Sequence, residues 1–425
     1  MPYYNYFKWQ FPLKIVLNFI FVIVFIFGCS DQKEERSLTD PSKQQLVSSD
    51  FYIFASKLAR LDVEDRMILI QQFISVNPVS PIIESNNLAI LYWYGKAESV
   101  LINGDIQKAW AEPDTMKSIH CGDSTFFYQI YSLPADTRVD YLLLVDGKET
   151  LDPRNPITTP SGYGKHSQLS MPLFKPDSIR NYRDNIKHGS LDSMVITSNI
   201  LSPEKRSLKI YLPADYDSLN SLPVLFVNDG FKALSFNSYK NILDNLIAEK
   251  KIRPLITVFI KYEENDAGYF INNTEDYIKF LSEELVPFID SKFKTSALSK
   301  NRAIAGISAG GHISLLTALL KPDVFSMGAG QSTTISDKLF EALDAIDKNK
   351  NSFVDNKIYF DVGRFDLATG SIASNDFLYS NQLFEEKIEE TGLNYSFKIF
   401  NDGHQWANWR ERIDDILIYF FGINL

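Results

Sequence analysis

A serine set between glycines is the first candidate for chemistry. Residues 301–316 read NRAIAGISAGGHISLL, in which a short apolar run leads into GISAG at 306–310 and a segment of helical apolar spacing follows. In a sharp turn from strand to helix, the Ser308 hydroxyl would stand above a sheet edge, and glycines two residues away on either side would avoid collisions. The amide of Ala309 would lie at a helix N-terminus, where it can donate to an oxyanion. The pattern favours a nucleophilic serine over a purely structural turn.

A serine hydroxyl is a weak nucleophile and needs a base, normally an imidazole. Of the five histidines, His404 lies in the loop FNDGHQWANW, directly after the apolar run at 395–400. That run predicts a strand, and reactive groups in an open α/β sheet collect where strands end. His312 is four residues past Ser308 on the predicted helix, so we interpret it as structural. His404 is the predicted base.

The imidazole in turn needs a carboxylate that fixes its tautomer and stabilises its cation. The run KIYFDVGRFDL predicts a strand with Asp361 inside it and Asp366 just beyond its carboxyl end. Asp402 is close to the histidine in sequence, but we interpret it as a turn former. The loop position favours Asp366. The chain order is then Ser308, Asp366, His404.

A second oxyanion donor is expected after an early strand. LPVLFVNDGF ends a strongly apolar run at Val227, so the backbone amides of Gly230 and Phe231 are the candidates alongside that of Ala309. A tight Asn-Asp-Gly turn with no catalytic role is the alternative at this position, and the sequence leaves it open.

The elements around these residues indicate an α/β class. From residue 185 to 425, apolar β-type runs alternate with helical patterns, which predicts one domain with a parallel sheet covered on both faces. Residues 85–175 contain short β-rich runs separated by turn residues, which predicts a small all-β sandwich. Residues 47–84 show helical spacing, and we expect one or two helices from Leu46 to Phe73.

The N-terminus predicts export. Residues 1–28 carry two lysines and then an apolar run, from Ile15 to Phe27, that is too short to span a bilayer. Small residues before Cys29 are similar to a bacterial lipobox, which implies cleavage there and lipid on the cysteine. We therefore expect a signal peptide, a polar tether over residues 29–46 and a position outside the cytoplasm; an uncleaved membrane anchor is the alternative. The only other cysteine is Cys121, so we expect no disulfide framework.

Composition excludes several classes of function. The chain has 425 residues, of which 45% are hydrophobic, and its net charge is −10. An acidic chain without basic clusters is a poor candidate for binding nucleic acid. No zinc-type spacing of Cys and His occurs, and no phosphate-binding GxxxxGK[ST] loop, so we predict neither a metal nor a cofactor.

Several motifs resemble one family. KIYLPADYD, LPVLFVNDG, SEELVPFID, GISAGG and NDGHQWANWR are similar to the Putative esterase family, which includes enterochelin, feruloyl and acetylxylan esterases. The resemblance implies an α/β-hydrolase fold preceded by an immunoglobulin-like (E-set) β-sandwich. It also implies Ser308 as nucleophile, Asp366 as acid and His404 as base, without a cofactor. Family members often have Asp at the position of Gln405.

These observations predict an exported, lipid-anchored serine esterase that acts through an acyl-enzyme. Its substrate would be a small-molecule or polysaccharide ester, with feruloyl or acetyl esters of polysaccharide or a siderophore ester as the two cases. One alternative is an enterochelin-type siderophore esterase specifically. Another is a surface lipoprotein that binds a ligand without turnover. The sequence gives no prediction of oligomeric state.

Overall fold

The computed structural model describes residues 40–108, 110, 112–162, 164–346, 353, 355–368 and 376–423. The predicted signal peptide at 1–28 and the lipidation site Cys29 lie outside these residues. Within the described ranges, no helix has both the length and the apolar character needed to cross a membrane.

Three helices come first. They are α1 (Lys43–Val47), α2 (Asp50–Leu58) and α3 (Val63–Val76). Each begins after a capping side chain, Ser42, Ser49 or Asp62, that accepts a hydrogen bond from a backbone amide of the first turn. The last two are the two helices expected between Leu46 and Phe73, whereas α1 lies mostly in the segment predicted to be a tether. Phe51 and Ile70 pack the helices onto the first sheet.

Two antiparallel sheets follow. The first has the strand order β1-β2-β6-β5 and the second the order β4-β3-β7-β10-β9, with β8 paired to β7. Apolar side chains of both sheets, among them Leu91 and Phe127 of the first and Val139 and Leu143 of the second, share one core. The region is a β-sandwich, and its immunoglobulin-like character stays a prediction. The strands are β1 (Ile82–Glu84), β2 (Leu88–Gly95), β3 (Val100–Gly104), β4 (Asp114–Thr115), β5 (Lys117–Cys121), β6 (Ser124–Ser132), β7 (Arg138–Val145), β8 (Lys148–Thr150), β9 (Thr158–Ser161) and β10 (Gly164–Ser170).

The third sheet carries the predicted chemistry. Its eight strands have the order β11-β12-β14-β13-β15-β16-β17-β18; β12 is antiparallel to both of its neighbours, β11 and β14, and the six strands from β14 to β18 are parallel to one another. The predicted parallel α/β sheet is confirmed. Its strands are β11 (Ser190–Thr197), β12 (Lys205–Leu212), β13 (Val224–Val227), β14 (Ile256–Ile260), β15 (Arg302–Ile307), β16 (Met327–Gln331), β17 (Lys357–Phe365) and β18 (Asn394–Gly403).

Helices cover both faces of this sheet, and a buried apolar core lies under each layer. The helices Thr274–Lys279 and Val286–Lys292 are joined by a π-helical turn at Phe280–Leu285. The helices are α4 (Gly230–Phe236), α5 (Tyr239–Ala248), α6 (Asp266–Ile271), α7 (Thr274–Lys279), α8 (Val286–Lys292), α9 (Ala309–Leu320), α10 (Asp337–Ile346), α11 (Phe377–Glu389), α12 (Trp406–Trp409) and α13 (Ile413–Phe421).

A buried ion cluster joins the last two strands to the start of α13. The fully buried guanidinium of Arg412 donates to Asp361 at 2.5 Å and to both carboxylate oxygens of Asp402. Burial raises the pKa of Asp361, and it raises the pKa of Asp402 to about 7, although Arg412 opposes both changes. Asp402, interpreted from the sequence as a turn former, is therefore half of a buried ion pair.

We expect Arg412→Leu to lower the free energy of unfolding by about 3–5 kcal/mol, because two buried carboxylates would lose their counterion. Urea-induced unfolding of the full-length protein measures this. Lys398→Met is the control, since it removes a partly exposed pair with Asp415 that also joins β18 to α13; its cost should stay below about 1 kcal/mol. Equal effects of the two changes would contradict the structural role of Arg412.

Candidate active site

Ser308 occupies a strained turn between β15 and α9. Its backbone has φ 55° and ψ −121°, a conformation that a residue with a side chain rarely adopts. The Ser308 amide donates to the carbonyl of Gln331 at 2.8 Å, and the amide of Thr334 donates to the Ser308 carbonyl at 3.2 Å. The end of the neighbouring strand β16 therefore holds the strained serine in place.

Of the two glycines that flank the serine, Gly306 and Gly310, only Gly306 lies where a side chain would collide with its surroundings. A Cβ atom at Gly306 would lie 2.2 Å from the carbonyl oxygen of Gly310, a collision with backbone. A Cβ at Gly310 would meet nothing nearer than 3.4 Å, which is an ordinary contact. The second tight position is Gly311, where a Cβ would lie 2.9 Å from the Thr333 hydroxyl. Crowding was expected at Gly310, two residues after the serine, but it occurs at Gly311.

Asp366 and His404 form a direct pair above the sheet. Asp366 follows β17 and His404 follows β18, and the His404 Nδ1 lies 2.6 Å from the Asp366 Oδ1. The amides of Gly363 and Leu367 also donate to the Asp366 carboxylate, at 3.2 and 2.8 Å. Burial alone would raise the pKa of Asp366, but the charge and hydrogen bond of His404 outweigh it and lower that pKa. An ionised carboxylate thus fixes Nδ1 as the protonated nitrogen and leaves Nε2 to accept a proton.

The pair is connected to the serine turn through Trp409. The indole of Trp409 packs edge-on against the His404 ring, with ring centroids 4.8 Å apart, and its Nε1 donates to the Ser332 hydroxyl at 2.8 Å. The Gln331 side-chain amide donates to the Trp409 carbonyl at 3.0 Å. The Gln331 carbonyl also accepts from the Ser308 amide. Gln331 therefore contacts both the serine turn and Trp409, which packs against His404. Sequence reasoning assigned no role to Gln331 or Ser332. Gln331 ends β16 and Ser332 follows it, as Ser308 follows β15, and that placement is the signal that could have found them.

The other histidine near the serine has a structural role, as interpreted from the sequence. His312 is fully buried, and its two ring nitrogens lie 2.7 Å from the Phe270 carbonyl and 2.7 Å from the Ser336 hydroxyl. Burial lowers the pKa of His312 to about 4, so the ring is neutral at pH 7. It joins α9 to its neighbours and does not pair with an acid.

The candidate oxyanion donors lie at the starts of two helices on adjacent strands. Ala309 is the first residue of α9, after β15, and Gly230 and Phe231 begin α4, after β13. The Asn228 side-chain amide, just before α4, donates to the Ser314 hydroxyl within α9 at 2.9 Å and so links the two helices. The Asn-Asp-Gly segment forms a turn that leads into α4, and an oxyanion role for its amides stays a prediction.

The described residues contain no candidate metal site, because no cluster of three or more of their His, Cys, Asp or Glu side chains could hold a metal ion. Cys121 is a free, buried thiol in the sandwich.

Comparisons with known proteins show the family to which the chain belongs. The family described as "Putative esterase" matches residues 198–420, more than half of the chain. The uncharacterized protein YjcH of Bacillus subtilis is 26% identical over 54% of this chain and 97% of its own length. An endo-1,4-beta-xylanase/feruloyl esterase of Xylanibacter ruminicola is 31% identical over 44% of this chain, which spans 27% of that longer protein.

Solved structures show the same fold. The enterobactin esterase of Shigella flexneri, crystallised in the presence of enterobactin, matches with a TM-score of 0.62 at 17% identity, over 79% of this chain and 94% of its own. The ferric enterobactin esterase of Salmonella typhimurium matches with a TM-score of 0.66 at 15% identity, over 80% and 95%. The chain belongs to the Putative esterase family and is a carboxylic ester hydrolase with an α/β-hydrolase fold. The resemblance seen in the sequence is confirmed.

We expect Gly306→Ala to disrupt the serine turn, because its Cβ would lie 2.2 Å from the Gly310 carbonyl. Thermal unfolding should shift down by several degrees, and labelling by a fluorophosphonate should slow. Gly268→Ala is the matched control, since a Cβ there meets nothing within 4 Å inside α6 and alanine favours helix. A Gly306→Ala protein as stable and as reactive as this control would show that the turn tolerates a side chain.

Proposed function

We propose that the protein is a serine esterase in which Ser308, His404 and Asp366 act as a catalytic triad. The observation that carries the proposal is the 2.6 Å contact between His404 Nδ1 and Asp366 Oδ1. The pair lies on the same edge of the sheet as the strained Ser308, at the ends of β17 and β18. A buried acid that orients an imidazole, on the sheet edge that also carries a half-buried serine turn, is the arrangement expected to activate a hydroxyl.

The residues would carry out two acyl transfers. The Ser308 Oγ attacks the ester carbonyl while His404 Nε2 takes its proton, and Asp366 stabilises the imidazolium. The backbone amides of Ala309 and of Gly230 or Phe231 would donate to the oxyanion. His404 then protonates the departing alcohol, which leaves an acyl-Ser308. Water, deprotonated by His404, attacks this ester and releases the carboxylic acid, and the proton returns to Ser308.

We propose acyl esters of polysaccharide, feruloyl or acetyl, as the substrate class. The support is the 31% identity with a protein named as a xylanase and feruloyl esterase, which is higher than the 15–17% identity with the enterobactin esterases. The alternative is a siderophore ester of the enterobactin type, which the similarity of fold over four fifths of the chain supports.

A ligand-binding protein without turnover is the rival from another class. The Asp366 carboxylate has no need to contact His404 in a silent pocket, and its burial would cost free energy there without benefit. A fluorophosphonate discriminates between the two, because it reacts only with an activated serine. Folded protein that fails to label would favour the binder.

We expect hydrolysis of p-nitrophenyl acetate to fall by at least about 10³-fold in Ser308→Ala, since its acyl-enzyme cannot form. The same wild-type and variant pair is then tested on methyl ferulate, acetylated xylan and enterobactin. A serine-dependent preference for ferulate or xylan supports the polysaccharide class, and a preference for enterobactin supports the alternative. Full activity in Ser308→Ala would overturn the triad.

We also propose that the protein is anchored outside the cytoplasm by lipid on Cys29. The support is the positive flank, the short apolar run and the small residues before that cysteine. In a bacterial host fed labelled palmitate, the wild-type chain should incorporate label and sediment with membranes. Cys29→Ser should lose the label. Equal labelling of both proteins would contradict lipidation at this cysteine.

A further inference from the structure

We infer that the β-sandwich positions the acid and the base of the hydrolase site, and that Arg138 acts as a positioning residue for His404. This rests on the proposed triad only for its effect on turnover; the contacts themselves are independent of it. Arg138 lies on β7 of the sandwich and is 2% exposed. It touches neither reacting atoms nor substrate in the proposed mechanism.

The path from Arg138 to the base consists of two hydrogen bonds. The Arg138 guanidinium donates to the Asn408 Oδ1 at 2.7 Å, and the Asn408 Nδ2 donates to the Gly403 carbonyl at 2.8 Å. Gly403 immediately precedes His404 in the chain. Since Asn408 is 1% exposed, both bonds lie in a dry environment where they are strong and directional.

The sandwich holds Arg138 itself rigidly. The guanidinium pairs with the Asp140 carboxylate at 2.6 Å and donates to the Gln168 side-chain oxygen at 3.0 Å. Asp140 lies on the same strand as Arg138, and Gln168 lies on the adjacent strand β10. These two contacts within the sandwich orient the Arg138 guanidinium towards Asn408.

A second contact fixes Gly403 sterically. The turn after β3 places Asp105 so close that a Cβ atom at Gly403 would lie 2.4 Å from the Asp105 Cγ. Asp105 cannot easily move, because its two oxygens accept from the Asp140 amide at 2.8 Å and from the Trp110 Nε1 at 2.9 Å. The residue before the base thus lies directly against a fixed side chain of the sandwich.

The acid loop is held in the same way. Phe365, which directly precedes Asp366, is 4% exposed and packs into the core of the sandwich beside residues of both of its sheets. On the other side of the acid, the Ala368 amide donates to the Lys108 carbonyl at 3.1 Å. Both members of the Asp366–His404 pair therefore have chain neighbours anchored in the sandwich, so its position sets their separation.

The test compares four full-length variants. Arg138→Met removes the donors and keeps the aliphatic stem, and Asn408→Ala breaks the path from the other side without leaving Asp140 unpaired. The double variant measures whether Arg138 and Asn408 act on His404 through the same chain of hydrogen bonds. Tyr141→Phe is the control. Tyr141 lies on the same strand as Arg138, and the variant removes its buried hydroxyl, which bonds Asp152 and Asn155 and not the loop that carries His404.

The first measurement needs no turnover. The His404 Nδ1 proton in a short bond to Asp366 should give a resolved low-field proton resonance, which His404→Gln identifies by its loss. We expect that resonance to weaken or disappear in Arg138→Met and in Asn408→Ala and to persist in Tyr141→Phe. If Arg138→Met does not fold, Asn408→Ala decides. Persistence in the folded path variants overturns the inference.

The second measurement is the kinetics of p-nitrophenyl acetate hydrolysis. We expect kcat to fall about 10- to 100-fold in each single path variant with KM nearly unchanged, because misplacement of about 1 Å costs this much. The double variant should be no worse than the worse single one. The two proposals can fail separately. If the path variants lose the resonance but the wild-type protein shows no Ser308-dependent hydrolysis, positioning is supported and the proposed function is refuted. Normal kcat in folded path variants of an active enzyme would refute positioning alone.

Discussion

The register of four adjacent parallel strands, β15 to β18, determines where every candidate catalytic group can lie. Parallel pairing brings their carboxyl ends to one edge, so the residues that follow them, Ser308, Ser332, Asp366 and His404, become neighbours although they span almost a hundred positions of the chain. A shift of one residue would turn the side chains to the other face. The apolar cores on both faces of the sheet prevent that shift.

Charge near this edge is distributed unequally among three buried carboxylates. Asp366 has a lowered pKa because His404 lies beside it, whereas burial raises the pKa values of Asp361 and Asp402 in spite of Arg412. The negative charge of Asp366 is itself one cause of the raised pKa of Asp402. The free energy of keeping Asp366 ionised is thus partly offset by a neighbour, Asp402, that binds a proton more readily, with Arg412 between Asp361 and Asp402.

Local patterns were sufficient to predict the α/β class and the places of Ser308, Asp366 and His404, because each follows a recognisable apolar strand. They could not predict partners that come from distant parts of the chain. The ion pair of Asp361 needs Arg412, 51 positions away at a helix start, and the bond from Arg138 reaches Asn408 across 270 positions. No periodicity in a single sequence encodes such a pairing, since it depends on how folded units pack.

Phe365 has a consequence for how this chain can change over evolutionary time. It belongs to the hydrolase sheet by sequence and to the sandwich core by packing, so neither unit has a complete surface without the other. Recombination that exchanged the sandwich for an unrelated module would leave a large aromatic side chain in water next to Asp366. The two units are therefore expected to be inherited as one block, and substitutions along their boundary to be compensated in pairs.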